Sequence, residues 1–277
     1  MKTVIKKIVL VCVFLLALSG IKLYAQDPHF SQYNEAPVYM NPALCASSYD
    51  MRAILNYKSQ WKTVATPYKS YGASLELAFK HKKLNRRSYW CSGLNAWNDI
   101  SGDGNFNKLH IGLILGTVVK SGQFGKFSMA LTGAFDQCTI TAHKLTWDSQ
   151  YNGYKYDPYL LGEQIPNNKF IYGDFGAGLN YHYAKSERYI SAADGHRFDI
   201  GLSAFHVNVP FYSLYGNTGE QLKMKYVHHA TFVLALPQIG SNLIPSYVVM
   251  MQGTQMEIMT GLMFRYVLSD PSVHSTT

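Results

Sequence analysis

From Ser70 onward the chain alternates. Tyr71, Ala73, Leu75, Leu77 and Phe79 are apolar, while Ser70, Gly72, Ser74, Glu76, Ala78 and Lys80 are small or polar. A period of two sends successive side chains to opposite faces, so the stretch predicts a strand with one apolar and one polar side. The pattern recurs in Leu109, Ile111, Leu113, Leu115, Thr117 and Val119 against Lys108, His110, Gly112, Gly116 and Lys120. It returns in Phe127, Met129, Leu131, Gly133 and Phe135 against Ser128, Thr132 and Asp136. Further examples lie at 174–183, 197–204 and 255–266, and weaker ones at 52–61, 89–97, 226–236 and 244–251. The total is roughly ten strands, each near the length of about 9 to 11 residues with which a tilted strand crosses a bilayer.

Alternation alone leaves two architectures open, since a soluble β-sandwich alternates as well. Two features favour an all-β, antiparallel transmembrane β-barrel. The polar face carries small residues as often as charges, and Tyr71, Phe79, Tyr183, Phe198, Phe264 and Tyr266 fall near strand ends, where interfacial girdles belong. No stretch after the first 25 residues is apolar for the length of a spanning helix, so a membrane role calls for strands. With that face assignment, Leu113→Arg should harm insertion and Gly112→Ser, on the opposite face, should be mild.

The first residues add a compartment. Lys2, Lys6 and Lys7 precede the apolar run Ile8 to Leu18, and a small-residue stretch ends at Ala25, the pattern of a secretory signal peptide over 1–25. Removing it takes away four lysines and lowers the formal charge from +8 to +4, which weakens any basic footprint for nucleic acid. Charged residues make up 15% of the chain, against about 25% in soluble domains. Cys45, Cys91 and Cys138 remain, an odd number without CxxC spacing, and read as isolated buried or lipid-facing thiols.

The segment at 26–49 is neither strand nor tail. Pro28, Pro37 and Pro42 forbid a long helix, yet His29, Phe30, Tyr33, Tyr39 and Met40 are too apolar for a disordered leader. The stretch "QDPHFSQYNEAPVYMNPALCAS" resembles the N-terminal signature of the PorP/SprF family, outer-membrane proteins of the type IX secretion and gliding machinery of Bacteroidota. The matching residues are Gln26, Asp27, Pro28, His29, Phe30, Ser31, Gln32, Tyr33, Pro37, Asn41, Pro42 and Ala43. Arg52, Tyr57, Gln60, Trp61, Pro67 and Tyr71 continue the likeness, as do the stretches 98–116, 145–166 and 173–183. The resemblance implies a barrel of about fourteen strands. Because this chain ends in "SDPSVHSTT" soon after the strand at 256–266, it also implies a C-terminally shortened member, with an incomplete barrel over 50–277.

The resemblance further implies a non-enzymatic outer-membrane accessory protein that assists export or surface anchoring of an adhesin or other cargo. Its partners would be that cargo, other secretion components and outer-membrane lipid, with no nucleic acid and no cofactor. Asp27, Pro28, His29, Phe30, Gln32, Tyr33, Asn41 and Pro42 are its candidate plug or partner-binding residues, with the segment at the barrel rim or in its lumen. A general porin and an exported carbohydrate-binding sandwich are the competing readings.

Other chemistry is sparse. Asp99, Ser101, Asp103, Gly104 and Asn105 imitate the start of a calcium loop, but His110 stands where a bidentate Glu is needed, so an inter-strand turn is the better account. Gly173, Gly176 and Gly178 read as small lumen-facing positions within a strand, and His228 and His229 as neighbours pointing to opposite faces. The basic run Lys80 to Arg87 reads as a solvated loop. No GxSxG, HExxH or P-loop occurs, so no catalytic or metal site is expected.

Overall fold

A computed structural model describes residues 32–63, 66–80, 87–185, 196–216, 219–236 and 240–266. The expected leader, Asp27, Pro28, His29, Phe30 and most of the basic run at 80–87 lie outside the described residues. Ten strands follow in order: β1 (Met51–Gln60), β2 (Tyr68–Phe79), β3 (Ser88–Ser101), β4 (Phe106–Ser121) and β5 (Gly125–Thr139). After a long connection come β6 (Lys169–Ala184), β7 (Arg197–Phe205), β8 (Lys225–Leu236), β9 (Ser241–Gln252) and β10 (Gln255–Tyr266). Every strand pairs antiparallel with its sequence neighbours, giving one ten-stranded sheet ordered β1 to β10. That sheet curls into a half-barrel, an incomplete β-barrel with β1 and β10 as its edges among the described residues. A single curled sheet is not a sandwich, so that alternative falls.

The faces are inverted relative to a soluble protein. On the convex face Leu55 is 86% exposed, Trp90 70%, Leu131 67% and Leu262 72%. On the concave face Glu76, Lys108, Asp136, Asp174, Asn180 and His182 are buried. Large apolar side chains in this number are stable on a surface only when the surroundings are apolar too, which is the outward band of a membrane barrel. Phe79, Trp90, Phe127, Tyr183, Phe198, Phe232, Phe264 and Tyr266 collect at one end of the sheet, near the ends of β2, β6, β8 and β10 and the starts of β3, β5 and β7. Tyr183 and Phe198 stack there at 5.1 Å, with Phe198 and Phe232 at 6.3 Å.

Two details depart from expectation. Gly176 and Gly178 face inward and are buried, but Gly173 lies on the convex face and is exposed, because an odd position of β6 cannot share the face of its even neighbours. Gly112 does face inward, yet the space over it is taken. A Cβ there runs into the Asn95 carboxamide oxygen and lies 3.1 Å from His110 Nε2, so the buried Asn95 would have to shift.

Candidate functional site: a segment seated in the half-barrel

Residues 32–47 fold back onto the concave face as a chain of short turns. These are a 3-10 turn at Tyr33–Glu35, one helical turn at Pro37–Met40 and a second 3-10 turn at Pro42–Leu44. Pro37 and Pro42 each open a turn, where a missing N–H costs nothing, and neither can donate to a sheet ladder. The segment therefore satisfies itself locally, with Asn41 N donating to Pro37 O at 3.0 Å, Leu44 N to Asn41 O at 3.1 Å and Cys45 N to Pro42 O at 3.0 Å. Prolines make it a compact insert rather than an eleventh strand.

Two apolar contacts hold it. Val38, Ala43, Cys45 and Ala46 pack on Tyr89, Cys91, Ile114, Val118 and Ala130 of β3 to β5. Tyr33, Met40 and Leu44 pack on Val227, Val248 and Met250 of β8 and β9. The segment thus spans the hollow of the half-barrel and joins its two walls.

Asn41 is the hub. It is fully buried, and its Oδ1 accepts from Ala43 N at 2.9 Å, capping the second 3-10 turn. With the oxygen committed, the amide nitrogen faces Leu179 O at 2.9 Å, Leu202 O at 3.3 Å and His229 Nε2 at 3.0 Å. Since Nδ2 can only donate, His229 Nε2 accepts and carries no proton. The close approach depends on Gly178 and Gly201, because a Cβ at Gly178 would strike Asn41 Oδ1 and one at Gly201 would strike the His229 ring.

Side-chain bonds tie the rest of the segment to strand after strand. Ser128 Oγ donates to Ala43 O at 2.7 Å, and Ser203 Oγ donates to Met40 O. Tyr33 Oη pairs with Ser246 Oγ at 2.8 Å. Tyr39 Oη reaches Ala73 O at 2.8 Å and Ala96 O at 2.9 Å, a cross-strand pair of β2 and β3. Burial pushes the Tyr39 phenol up to about 12. Ala46 N donates to Glu76 Oε2 at 3.0 Å, and Glu76 in turn receives Arg52 Nε at 2.9 Å and Nη2 at 2.8 Å. That bidentate pair keeps a nearly inaccessible carboxylate compensated.

Of the residues singled out from sequence, the structure brings Tyr33, Asn41 and Pro42 together in this site, while Gln32 is exposed at its start. Asp99 and Asp103 do not converge. Asp99 sits within β3 and accepts from Ser70 Oγ at 2.5 Å, and Asp103, in the turn before β4, accepts from Thr66 Oγ1. Because β4 already begins at Phe106, no twelve-residue loop exists to wrap a cation. Among the described residues no group of three or more His, Cys, Asp or Glu is arranged to hold a metal. Glu76, Ser128, Ser203, Ser246 and Gly201 were not singled out as site residues, although all lie on the small or polar side of the alternation. His228 and His229 do diverge, His228 lying 5.4 Å from the Tyr247 ring while His229 turns inward to Asn41.

Elsewhere on the concave face, His110 pairs with Asp136 at 3.0 Å, His182 with Asp199 at 2.7 Å and His206 with Asp174 at 2.9 Å. The Lys108 ammonium lies over Trp97, Tyr212 and Tyr172 at 5.3, 5.5 and 6.0 Å from the ring centres. The carboxylates are paired and the ammonium is shielded, so these groups can stay inside a sheet.

A family model described as type IX secretion system membrane protein PorP/SprF matches residues 22–269. No curated protein and no solved structure matches the chain. The match spans the inserted segment and every strand of the half-barrel, and the chain belongs to the PorP/SprF family of type IX secretion system membrane proteins.

Proposed function

We propose that the protein is a non-enzymatic accessory of type IX secretion in the outer membrane, which helps a secreted adhesin or similar cargo reach or stay on the cell surface. The observation that carries this reading is the occupied hollow. A segment that spans both walls and bonds to strands from β2 to β9 turns the concave side into a rigid scaffold, poorly suited to bulk diffusion. Residues 1–25 serve as its export signal, and the conformation of 32–47 acts as a plug.

The test is a deletion strain of a Bacteroidota host complemented with the gene. Cargo on intact cells is measured by protease shaving, and the barrel is followed across a sucrose gradient. Complementation should restore surface cargo, with the protein in outer-membrane fractions. Unchanged surface cargo in the deletion strain, or recovery of the protein as soluble periplasmic material, rejects the reading. The porin alternative predicts swelling of liposomes carrying the purified protein in sugar solutions, where the plugged reading predicts none.

A further inference from the structure

Three buried free thiols are found among the described residues, Cys45, Cys91 and Cys138. Cys138 stands apart, its sulfur 3.9 Å from Tyr212 Oη. Cys45 and Cys91 are not isolated, contrary to expectation from their spacing. They share one apolar cluster, and both sulfurs lie over the same inward patch of β3 and β4. The fold makes room for this contact. Cys91 and Gly93 are successive inward positions of β3, and a Cβ at Gly93 would lie 3.0 Å from the Cys45 sulfur. Gly116, the cross-strand partner of Cys91 on β4, does the same for the other thiol, since a Cβ there would lie 2.9 Å from the Cys91 sulfur. The backbone around Cys45 is pinned as well, with Ala46 N held by Glu76 and Ala46 O by Tyr89 Oη at 3.1 Å.

We propose that Cys45 and Cys91 form a cross-linking site, a disulfide that fastens the inserted segment covalently to β3. The inference goes beyond the secretion reading and rests on it only for an oxidising compartment. The oxidant is a disulfide of a protein or small-molecule thiol. The Cys91 thiolate attacks one of its sulfurs, forming a mixed disulfide and releasing the first thiolate. Cys45 then attacks the Cys91 sulfur, closing the Cys45–Cys91 bond and releasing the second. The two protons of the cysteines end on the two released thiols, and the oxidant takes up two electrons. The neighbouring Cys91 thiol, together with burial, pushes the Cys45 thiol upward, which makes Cys91 the first attacker.

The experiment begins with envelopes from cells quenched in acid, denatured and labelled with a maleimide mass tag before and after reduction. Reduction should add two tags to the wild-type protein, and trypsin without reductant should yield the peptide ending at Arg52 linked to Ser88–Lys108. Cys45→Ser or Cys91→Ser should abolish the gain, and Cys138→Ser should leave it. Protein refolded in detergent with a glutathione redox buffer provides a second arm that does not depend on export. Absence of the linked peptide in that arm overturns the site. Its presence there with no gain of tags in envelopes overturns it for the cell, while fractionation of the same sample reports on export separately.

Discussion

The two faces of the half-barrel are written in different physical languages. On the convex side Leu113, Leu115, Met129, Leu131, Leu179 and Leu202 are exposed, and in the membrane barrel we propose they need only be apolar, because lipid would fill whatever shape they leave. On the concave side the positions beneath the insert answer to particular atoms of residues 32–47. Ser128 serves Ala43 O, Ser203 serves Met40 O, Ser246 serves Tyr33, and Gly178 and Gly201 leave space for Asn41. One face is solvated by a fluid and tolerates exchange. The other is packed by a single partner and should not.

The sharpest way to break that contrast is Asn41→Ala. It strands the Ala43 N–H and His229 Nε2 inside the hollow and empties the space over two glycines. Each unmatched buried partner costs about 1 to 3 kcal/mol, so a total loss of roughly 3 to 5 kcal/mol is expected. Denaturant unfolding of the purified protein in micelles should show it as a lower midpoint. A change under about 1 kcal/mol would mean that the segment contributes little to the half-barrel.

A charge on the opposite face comes next. Leu113→Arg should cost about 2 to 4 kcal/mol if the side chain lies near the bilayer midplane, while Leu113→Phe should be tolerated because lipid accommodates the extra volume. Gly112→Ser is unsuitable as the neutral control, given its collision with Asn95. Folding yields into vesicles measure both variants. Equal yields for Arg and Phe would show that the convex surface does not meet lipid.

This asymmetry also decides what could be read from sequence. The convex-face pattern is local, so the strands were legible: runs expected at 197–204, 226–236 and 255–266 became β7, β8 and β10, while β3 and β6 extend four to five residues beyond the expected 89–97 and 174–183. Ile114, Val118 and Ala130 spoil the alternation on the polar side, and they are the floor beneath Val38 and Cys45. An apolar interruption of a lumen face was thus the available sign of an insert. The partners of Asn41 were not legible, since Leu179, Leu202 and His229 follow it by 138, 161 and 188 residues and only the pairing and curling of the sheet bring them near. The family resemblance marked Asn41 without giving a reason, and the amide geometry supplies one. Cys45 and Cys91 escaped for the same cause, because no spacing rule reports which turn of an insert lands on which strand.

The smallest expected effect tests how tightly the segment is seated. Tyr39 has one face toward the hollow and its hydroxyl on the carbonyls of Ala73 and Ala96, so Tyr39→Phe should cost about 0.5 to 1.5 kcal/mol near neutral pH. Alkali gives the more specific readout. In the folded protein the phenol is raised from 10.0 to about 12, so the folded state holds its proton more firmly than the unfolded chain does. Its contribution is therefore complete below about pH 10 and is lost as pH climbs toward about 12, because the unfolded state ionises first. Other tyrosines titrate in the same range, which makes the difference between the wild type and Tyr39→Phe the quantity to follow. The wild type should lead in denaturant midpoint at about pH 8, and the two curves should draw together by about pH 11. Parallel curves across that range would place the Tyr39 hydroxyl in water, and the inserted segment would then be resting on the half-barrel wall instead of being built into it.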